Sequence, residues 1–171
     1  MTDEKREQTF LHWQDEHRGI LLKVARSFAM SRGDQEDLLQ EILIQLWRSM
    51  KGFDGLAKPS TWIYRVALNT AMGWQRGERR RRRRMEKMVA MDAYWLEKKD
   101  TENERLALLY EAIHKLLPHE RYLILLYLDN LQYSEIAEII GISESNVGVR
   151  INRARKKLTA LCNGETTNEL G

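Results

Sequence analysis

The sequence predicts an all-α fold made of two small helical domains joined by a linker, with a helix-turn-helix in the C-terminal domain. Apolar residues recur at helical spacing along the chain, and no stretch alternates with the period of two that β-strands require. The chain has only two prolines in 171 residues. An apolar fraction of 43% with 31% charged residues is enough to bury a core in one or two small domains.

The first domain, predicted over residues 8–84, consists of three helices around one core. The first helix ends before the sequence MSRGD, and Asp34 is expected to cap the second, which ends at Gly52. The two glycines and the proline of KGFDGLAKPS indicate a loop. Ser60 or Thr61 then opens the third helix. Its predicted core face carries Ile63, Ala67, Thr70 and Trp74.

The second domain is predicted over residues 105–162, after a charged linker at 85–104 that has some helical content. Its first helix ends at Pro118, which can occupy the first turn of the next helix. Two further helices are separated at Gly141, because glycine permits the positive φ of the turn in a helix-turn-helix. Ser143 is the expected N-cap of the last helix.

The last helix has two chemically different faces. An apolar stripe is predicted to be buried: Val147, Ile151, Ala154, Leu158 and Leu161. The opposite face and its flank carry Ser145, Asn146, Val149, Arg150, Asn152, Arg153 and Lys156. Asparagine and arginine suit base edges, and valine suits a thymine methyl group. A cationic outer face is also common on ordinary amphipathic helices, but the spacing of the turn favours DNA reading.

Gly148 is unusual in this helix, because a mid-helix glycine costs about 1 kcal/mol relative to alanine. Two interpretations stay open: a close approach to the DNA backbone, or a neutral surface choice. Unchanged or tighter promoter binding by a Gly148→Lys variant would rule out the first.

A second stripe on the third helix is predicted to bind unstacked bases. It carries Trp62, Arg65, Asn69, Met72 and Arg76. Stacking on aromatic side chains is tolerant of sequence, and an amide can read a base edge. The preceding loop at 52–58 could form one wall of a pocket for a flipped base. The alternative is that Trp62 packs against the first helix, which would leave the stripe a simple polar face.

The outer face of the second helix mixes acidic, apolar and basic side chains. It carries Asp37, Glu41, Ile44 and Arg48. This mixture is more typical of a protein-docking surface than of a nucleic-acid site, although a solvated face is the alternative.

The charge of the chain is concentrated at one place. The formal net charge is only +3, but the segment from Arg76 to Lys87 carries +6. Six of its cations are consecutive: Arg79, Arg80, Arg81, Arg82, Arg83 and Arg84. On a continuous helix they would point in every direction, so we expect the helix to leave the domain body or to end near Gly77. The run is predicted to grip phosphates independently of sequence.

Other features exclude several classes of protein. The single cysteine, Cys162, rules out an internal disulfide framework and fits a reducing compartment. No apolar run is long enough for a membrane span, and the N-terminal residues lack a secretory signal, so we expect a soluble cytoplasmic protein. The four histidines form no ligand cluster and there is no phosphate loop. We therefore expect no metal site, no cofactor, no catalytic residue and no small-molecule substrate.

Three stretches resemble a known family. DQEDLLQEILIQLW resembles D-x-x-D-L-x-Q-E-x(5)-W, and FDGLAKPSTWIYRVALNTA resembles F-x-G-x(5)-T-W-[IL]-Y-R-[IV]-A-x-N. ISESNVGVRINRARKKL resembles the family's C-terminal recognition helix. The family is that of the extracytoplasmic-function (ECF) σ factors, which are bacterial RNA polymerase subunits built from regions 2 and 4. The resemblance covers the chain from about Phe10 to Leu161.

The resemblance implies a role for each part of the chain. Asp37, Gln40, Glu41 and neighbouring positions would dock on the clamp helices of the largest polymerase subunit. The loop at 52–58, with Trp62 and Asn69, would capture the melted non-template strand of the −10 element. The duplex −35 element would be read by Asn146, Val149, Arg150, Asn152 and Arg153. The linker would thread toward the active-site and RNA-exit channels of the polymerase.

By resemblance the protein performs no covalent chemistry and is held inactive by an anti-σ factor. Two departures stand out: Gln132 occupies the place of a frequent serine cap, and the arginine run exceeds the family pattern. A conventional helix-turn-helix regulator with a small ligand is the main rival, and it predicts dimerisation and no need for polymerase. A hydrolase or metal enzyme is the other alternative function. It is disfavoured because the histidines form no ligand cluster and the sequence has no phosphate loop.

Overall fold

The computed structural model describes residues 3–85 and 104–164, with side chains described for 4–77 and 104–164. Within these ranges the chain is helical and contains no strand, so the all-α prediction is confirmed. The helices are α1 (Asp3–Glu16), α2 (Arg18–Phe28), α3 (Arg32–Ser49), α4 (Pro59–Met85), α5 (Glu104–Lys115), α6 (Pro118–Leu128), α7 (Tyr133–Ile140) and α8 (Glu144–Cys162). A short 3-10 turn at Met50–Gly52 follows α3.

The first four helices form one helical unit, and the last four form another. In the first, α2, α3 and α4 contact one another around fully buried side chains such as Leu38, Ile42 and Ile63. In the second, α8 packs against α5, α6 and α7. The two units also share apolar contacts, because one cluster of buried residues runs from α1–α4 into α6–α8. A smaller cluster lies between α5, α6 and α8.

The first predicted helix is divided in two. The chain turns at His17, between α1 and α2, and Trp13 on α1 is buried in the same core as Leu21 on α2. The single-helix expectation was therefore wrong. The apolar pattern continues across the break, since residues on both sides of it are buried in one core.

The boundaries of α3 and α4 also differ from the prediction. Ser31, and not Asp34, caps α3, and its Oγ accepts a hydrogen bond from the Asp34 N–H at 3.0 Å. Helix α4 begins at Pro59 and continues to Met85, so the alternative that it ends near Gly77 was wrong. The side chains of the arginine run lie outside the described residues, as does nearly all of the predicted linker at 85–104.

The second unit follows its sequence signals closely. Helix α6 begins at Pro118, with the proline in the first turn as predicted, and ends at Leu128. Among residues 3–85 and 104–164, no helix combines the length and the apolar character that a bilayer crossing demands.

Candidate nucleic-acid interface

The turn between α7 and α8 has the geometry of a helix-turn-helix. Gly141 has a φ of +79°, and its N–H donates to the Ala137 carbonyl oxygen at 2.8 Å. Ser143 caps α8, since its Oγ accepts from the Asn146 N–H at 3.4 Å. Both predicted roles, of the glycine and of the serine cap, are confirmed.

Helix α7 begins after Gln132 despite the absence of a serine cap. The Glu135 carboxylate reaches back and accepts a hydrogen bond from the Gln132 N–H at 3.0 Å. This contact satisfies one of the N–H groups that a helix start leaves unpaired. The first turn of α7 is therefore stabilised by a side chain of the helix itself, that of Glu135.

Helix α8 buries the predicted stripe and exposes the opposite face. Val147, Ile151, Ala154 and Leu158 are buried, and Leu161 is half-buried. The predicted duplex readers are all exposed: Ser145, Asn146, Val149, Arg150, Asn152, Arg153 and Lys156. Val149 has 53% of its surface exposed, so its methyl groups are accessible on this face.

Two other cations of α8 are engaged within the chain. Lys157 lies 2.9 Å from a Glu120 carboxylate oxygen on α6, and the Arg155 guanidinium lies 5.0 Å from the centre of the Tyr127 ring. These contacts join α8 to α6. Of the five basic residues of α8, two therefore hold the helix against α6, and the other three, Arg150, Arg153 and Lys156, stay on its outer face.

The ring of Tyr133 occupies part of the space beside Gly148. A Cβ built on Gly148 would lie 3.4 Å from Cε2 and 3.8 Å from Cδ2 of Tyr133. The glycine therefore faces a ring from α7. This intramolecular contact adds a third reading to the two that the sequence left open.

Trp62 does not extend freely into solvent. It is half-buried, its Nε1–H donates to Ser49 Oγ at 3.2 Å, and its ring meets Phe53 edge-on at 5.4 Å. Phe53 in turn meets Trp13 of α1 at 4.9 Å. The expectation of a solvent-facing aromatic was thus wrong in part, because Trp62 reaches α1 through Phe53.

The rest of the α4 stripe is unevenly exposed. Asn69 and Arg76 are exposed, whereas Arg65 and Met72 are half-buried. Arg65 is engaged, since its Nη2 donates to the Glu138 carbonyl oxygen of α7 at 2.8 Å. The helical face is formed as predicted, but one of its cations already has a partner in the second unit.

A groove of about 730 Å³ lies between α3 and α4. Its lining residues are Asp37, Gln40, Glu41, Ile44, Gln45, Asn69, Thr70, Gly73 and Trp74. Four predicted docking residues therefore share one groove with Asn69, whereas Arg48 is exposed outside it. Glu41 accepts a hydrogen bond from Gln45 at 2.7 Å, which orients its carboxylate.

Thr70 and Trp74 were predicted to lie in the core, and this was wrong in part, since Trp74 packs against the core without being fully buried. Both are half-buried and line the groove. Thr70 donates to the Val66 carbonyl oxygen at 2.8 Å, which is the bond that allows a threonine inside a helix. Gly73 was the sequence feature that could have indicated the groove. A glycine has no side chain to fill the surface beside the large ring of Trp74.

Sequence reasoning also missed Lys58 as a partner of α7. Its Nζ lies 2.7 Å from Oε1 of Glu135. The hydrogen bond between them raises the pKa of Lys58 and lowers the pKa of Glu135. Helical periodicity could not predict this contact, because the two residues are 77 positions apart in the sequence.

A buried arginine closes the end of α5. Arg121, which is 3% exposed, donates to the carbonyl oxygens of Ile113, His114 and Leu116 at 3.1, 2.7 and 3.1 Å. These carbonyls lie at and just beyond the C-terminal end of α5, where helical partners run out, although the Ile113 oxygen also accepts from the Leu116 N–H at 3.1 Å. Its guanidinium also lies 5.1 Å from the centre of the Phe28 ring on α2, so one side chain joins α5, α6 and α2.

No group of three or more His, Cys, Asp or Glu side chains in the described part of the chain is arranged to hold a metal ion. Cys162 is a free, exposed thiol.

Comparison with known proteins identifies both units. Residues 14–81 match the family Sigma-70 region 2, and residues 106–158 match Sigma-70, region 4. Over 142 residues the chain is 35% identical to the ECF RNA polymerase sigma-E factor of Haemophilus influenzae, covering 75% of each protein.

Two solved structures share the fold of the whole chain. The structure of CnrH in complex with the cytosolic domain of CnrY is 27% identical, with a TM-score of 0.66, and covers 94% of this chain and 91% of that one. A curated CnrH comes from Cupriavidus metallidurans. RpoE of Bartonella quintana, in complex with the anti-sigma factor NepR, is 21% identical with a TM-score of 0.67, covering 92% of this chain and 96% of that one.

Proposed function

The chain belongs to the ECF σ factors of the σ-70 family, and we propose that it directs bacterial core RNA polymerase to specific promoters and helps to melt their −10 elements. The observation that carries this proposal is the agreement between the two matched regions and the two helical units. Region 2 falls within α1–α4, and region 4 spans most of α5–α8.

The second unit, residues 105–162, is proposed to read the −35 element as duplex DNA. An exposed helix behind a helix-turn-helix turn can enter a major groove, and the outer face of α8 offers amides, guanidinium groups and an exposed valine. In this scheme the engaged cations Arg155 and Lys157 orient α8, and Lys156 contacts a phosphate. The other six predicted duplex readers face the bases.

The first unit, residues 8–84, is proposed to dock on the polymerase through α3. The groove beside α3 supports this role, because it combines two carboxylates, three amides and the exposed Ile44 on one surface. Mixed polar and apolar chemistry of this kind suits a helical protein partner more than a nucleic acid. Arg48 would contact the same partner from outside the groove.

The loop at 52–58 and the outer face of α4 are proposed to capture the melted non-template strand of the −10 element. Asn69 and Arg76 are exposed on this face, and Trp62 forms its half-buried aromatic end. Holding an unstacked base offsets part of the few kcal/mol that opening the first step costs. The arginine run Arg79–Arg84 would add phosphate contacts at the edge of the unit.

We infer that the protein acts by binding alone, in the cytoplasm, and that an anti-σ factor controls it. The matched family consists of transcription initiation factors, and relatives with the same fold were solved in complexes with CnrY and with the anti-sigma factor NepR. A polypeptide regulator would thus compete for the surfaces that polymerase and DNA use.

Transcription in vitro tests the function directly. Core polymerase with and without this protein would be supplied with a library of promoter fragments from the source genome, and transcript 5′ ends would be mapped. We expect start sites that depend on the protein and share −35 and −10 sequences. Transcription that is unchanged by the protein, together with dimeric binding to duplex DNA in the absence of polymerase, would favour a conventional helix-turn-helix regulator instead.

A further inference from the structure

A second groove of about 510 Å³, here called the leucine groove, lies between α1, α2 and α3. Its lining residues are Leu11, Gln14, Asp15, Arg18, Leu21, Leu22, Leu39 and Leu43. Most of them are leucines, and Arg18 is the one cation among them. The groove therefore suits apolar side chains and not a phosphate backbone, which needs several donors and cations.

The leucines of this groove are accessible to a partner. Leu11 is 57% exposed and Leu22 is 44% exposed, while Leu39 and Leu43 are half-buried. Single leucines on a surface are ordinary, but neighbouring ones around a groove mark a contact site. Residues 3–85 and 104–164 leave this groove open.

The leucine groove is separate from the polar groove proposed for polymerase docking. Leu39 and Leu43 face the leucine groove, whereas their sequence neighbours Gln40 and Ile44 face the polar one. Consecutive residues of a helix point about 100° apart, so α3 forms a wall of both grooves. An occupant of the leucine groove therefore leaves the polar groove accessible.

The chain itself contains a segment of matching chemistry. Residues 86–103, which lie outside the described part of the chain, connect Met85 at the end of α4 to Glu104 at the start of α5. Near the middle of this connection the sequence has Tyr94, Trp95 and Leu96, here called the YWL block. Large apolar side chains gain free energy when a neighbouring surface buries them.

The start of α5 brings the YWL block within reach of the leucine groove. The Arg26 guanidinium of α2 lies 4.2 Å from the centre of the Tyr110 ring of α5. Leu22 lies one turn before Arg26 on the same face of α2, or roughly 6 Å along the helix. Glu104 lies about 9 Å before Tyr110 along α5.

The lengths on both sides of the block allow it to reach this place. Seven residues lie between the YWL block and Glu104, and extended they span up to about 24 Å. This span is longer than the helical segments Glu104–Tyr110 and Leu22–Arg26 placed end to end. The eight residues between Met85 and the block span up to about 27 Å.

We propose that the leucine groove binds the YWL block of this chain's own linker in the free protein. The groove and the block then cover each other, so two apolar surfaces leave the solvent together. This interaction goes beyond the proposed function, since it involves neither DNA nor polymerase.

Disulfide trapping in the full chain tests the contact. Cys162 is the single cysteine of the sequence, so Cys162→Ser gives a background without thiols. Asp15→Cys, at an exposed position of the groove, is combined with Glu97→Cys next to the block. The control combines Glu97→Cys with Glu111→Cys at an exposed position of α5. Mass spectrometry of tryptic peptides follows disulfide formation in glutathione disulfide, corrected for the reactivity of each thiol toward iodoacetamide.

We expect the pair at 15 and 97 to form its disulfide at least tenfold faster than the pair at 97 and 111. A linker that binds nowhere gives the opposite order, because the loop between 97 and 111 is much shorter and closes at a lower entropic cost. Equal rates, or a faster control, would overturn the proposal.

Mixing two single-cysteine proteins identifies the chain that supplies the block. One carries Asp15→Cys and the other Glu97→Cys, both in the Cys162→Ser background. We expect no disulfide between them at micromolar concentration on the time scale of the double variant. Disulfide formation as fast as within one chain would mean that a second copy fills the groove, and would refute the intramolecular contact.

Substitution of a groove leucine tests whether the leucines hold the block. In the chain with cysteines at 15 and 97, Leu11→Ser should slow disulfide formation at least threefold. Leu108→Ser on α5 is the matched control, because Leu108 is 59% exposed and Leu11 is 57% exposed. Equal effects of the two serine variants would contradict binding in the groove.

Substitution of the block gives the same test from the other side. Trp95→Ser should also slow the disulfide at least threefold, and it leaves the described helices unaltered. If Leu11→Ser lowers the melting temperature, Trp95→Ser decides the question, and an unchanged rate in Trp95→Ser would overturn the proposal. Promoter-specific transcription by the wild type together with that result would leave the proposed function intact.

Discussion

The ring of Tyr133 lies against Gly148, so that a Cβ added to the glycine would meet Tyr133 Cε2 at 3.4 Å. This distance is an ordinary van der Waals contact, and alanine is a better helix former than glycine by about 1 kcal/mol. We therefore expect Gly148→Ala to leave the melting temperature unchanged or to raise it. Gly148→Leu must move the ring, and should lower the free energy of unfolding by about 1 to 3 kcal/mol.

Urea unfolding followed by circular dichroism measures both effects. Thr159→Leu, at an exposed position of the same helix, is the matched control. Removing the ring with Tyr133→Ala should recover part of the loss in Gly148→Leu. If Gly148→Leu costs no more than Thr159→Leu, the ring does not restrict this position.

Replacing Arg121 should destabilise the second unit strongly. Arg121→Met keeps much of the volume but removes the guanidinium donor from three carbonyl oxygens at and just beyond the end of α5, of which only that of Ile113 keeps another donor, the Leu116 N–H. Buried acceptors without partners are costly, so we expect the free energy of unfolding to fall by about 3 kcal/mol. Arg105→Met on the exposed side of α5 is the control for lost charge. A difference below about 0.5 kcal/mol between the two variants would contradict this role.

Stability should fall as the pH drops from 6.5 toward 4, in part because of His114. Burial, together with the charges of Arg121 and Arg26, lowers the pKa of His114 to about 4, against a hydrogen bond to the Arg26 backbone that raises it. The unfolded chain takes up a proton near pH 6.5, whereas the folded chain does so only near pH 4. The folded state therefore loses stability within this window, by at most about 1.4 kcal/mol per pH unit and by less for a partly exposed ring.

The contribution of His114 is isolated by comparing variants. Urea midpoints at pH 7, 6 and 5 should show a shallower decline for His114→Gln than for the wild type. His119→Gln, at an exposed position, should retain the wild-type decline. Identical slopes for wild type and His114→Gln would show that His114 does not cause the decline.

Asn69 and Asp37 line the same groove but should affect different steps. Asn69→Ala is expected to slow open-complex formation about tenfold and to relax −10 selectivity, because one good amide contact to a base edge is worth about 1 to 3 kcal/mol. Asp37→Ala should instead weaken binding to core polymerase. Permanganate footprinting measures melting, and fluorescence titration with core polymerase measures docking. Normal melting with unchanged −10 selectivity in Asn69→Ala would refute the assignment of Asn69.

The arginine run should set the salt dependence of DNA binding and not its sequence preference. Each phosphate contact contributes about 0.7 to 0.9 to the slope of log K against log salt concentration. Changing Arg79–Arg84 to glutamine should therefore lower affinity and reduce the slope, by up to about 5 if all six make contacts. The ratio of affinities for a cognate and a mutated promoter serves as the internal control. A change in that ratio would mean that the run reads sequence.

Local signals in the sequence were sufficient for most helices of the second unit. Pro118 marks the start of α6, and Gly141 with Ser143 marks the turn before α8, because each residue type has a backbone or capping preference that acts within a few residues. The cap of α3 was harder to predict. Ser31 and Asp34 are both good caps, and only the structure distinguishes them.

Contacts between distant parts of the chain were not predictable in the same way. A helical wheel gives the faces of one helix, but it does not say which face meets another unit. Arg65 was therefore assigned to a solvent-facing stripe, whereas it donates to Glu138. Trp74 was assigned to the core for the same reason, because periodicity does not distinguish a buried position from the wall of a groove.

The continuity of α4 makes this helix a molecular ruler. Its 27 residues form a rod of about 40 Å that carries the groove, Asn69 and the backbone of the arginine run. Along this rod the run begins about 15 Å beyond Asn69 and ends about 22 Å beyond it, which equals roughly four to seven base pairs of duplex. A base bound at Asn69 would thus set the distance along the DNA at which the arginine run contacts phosphates. Inserting residues into α4 would change that interval without altering either contact chemically.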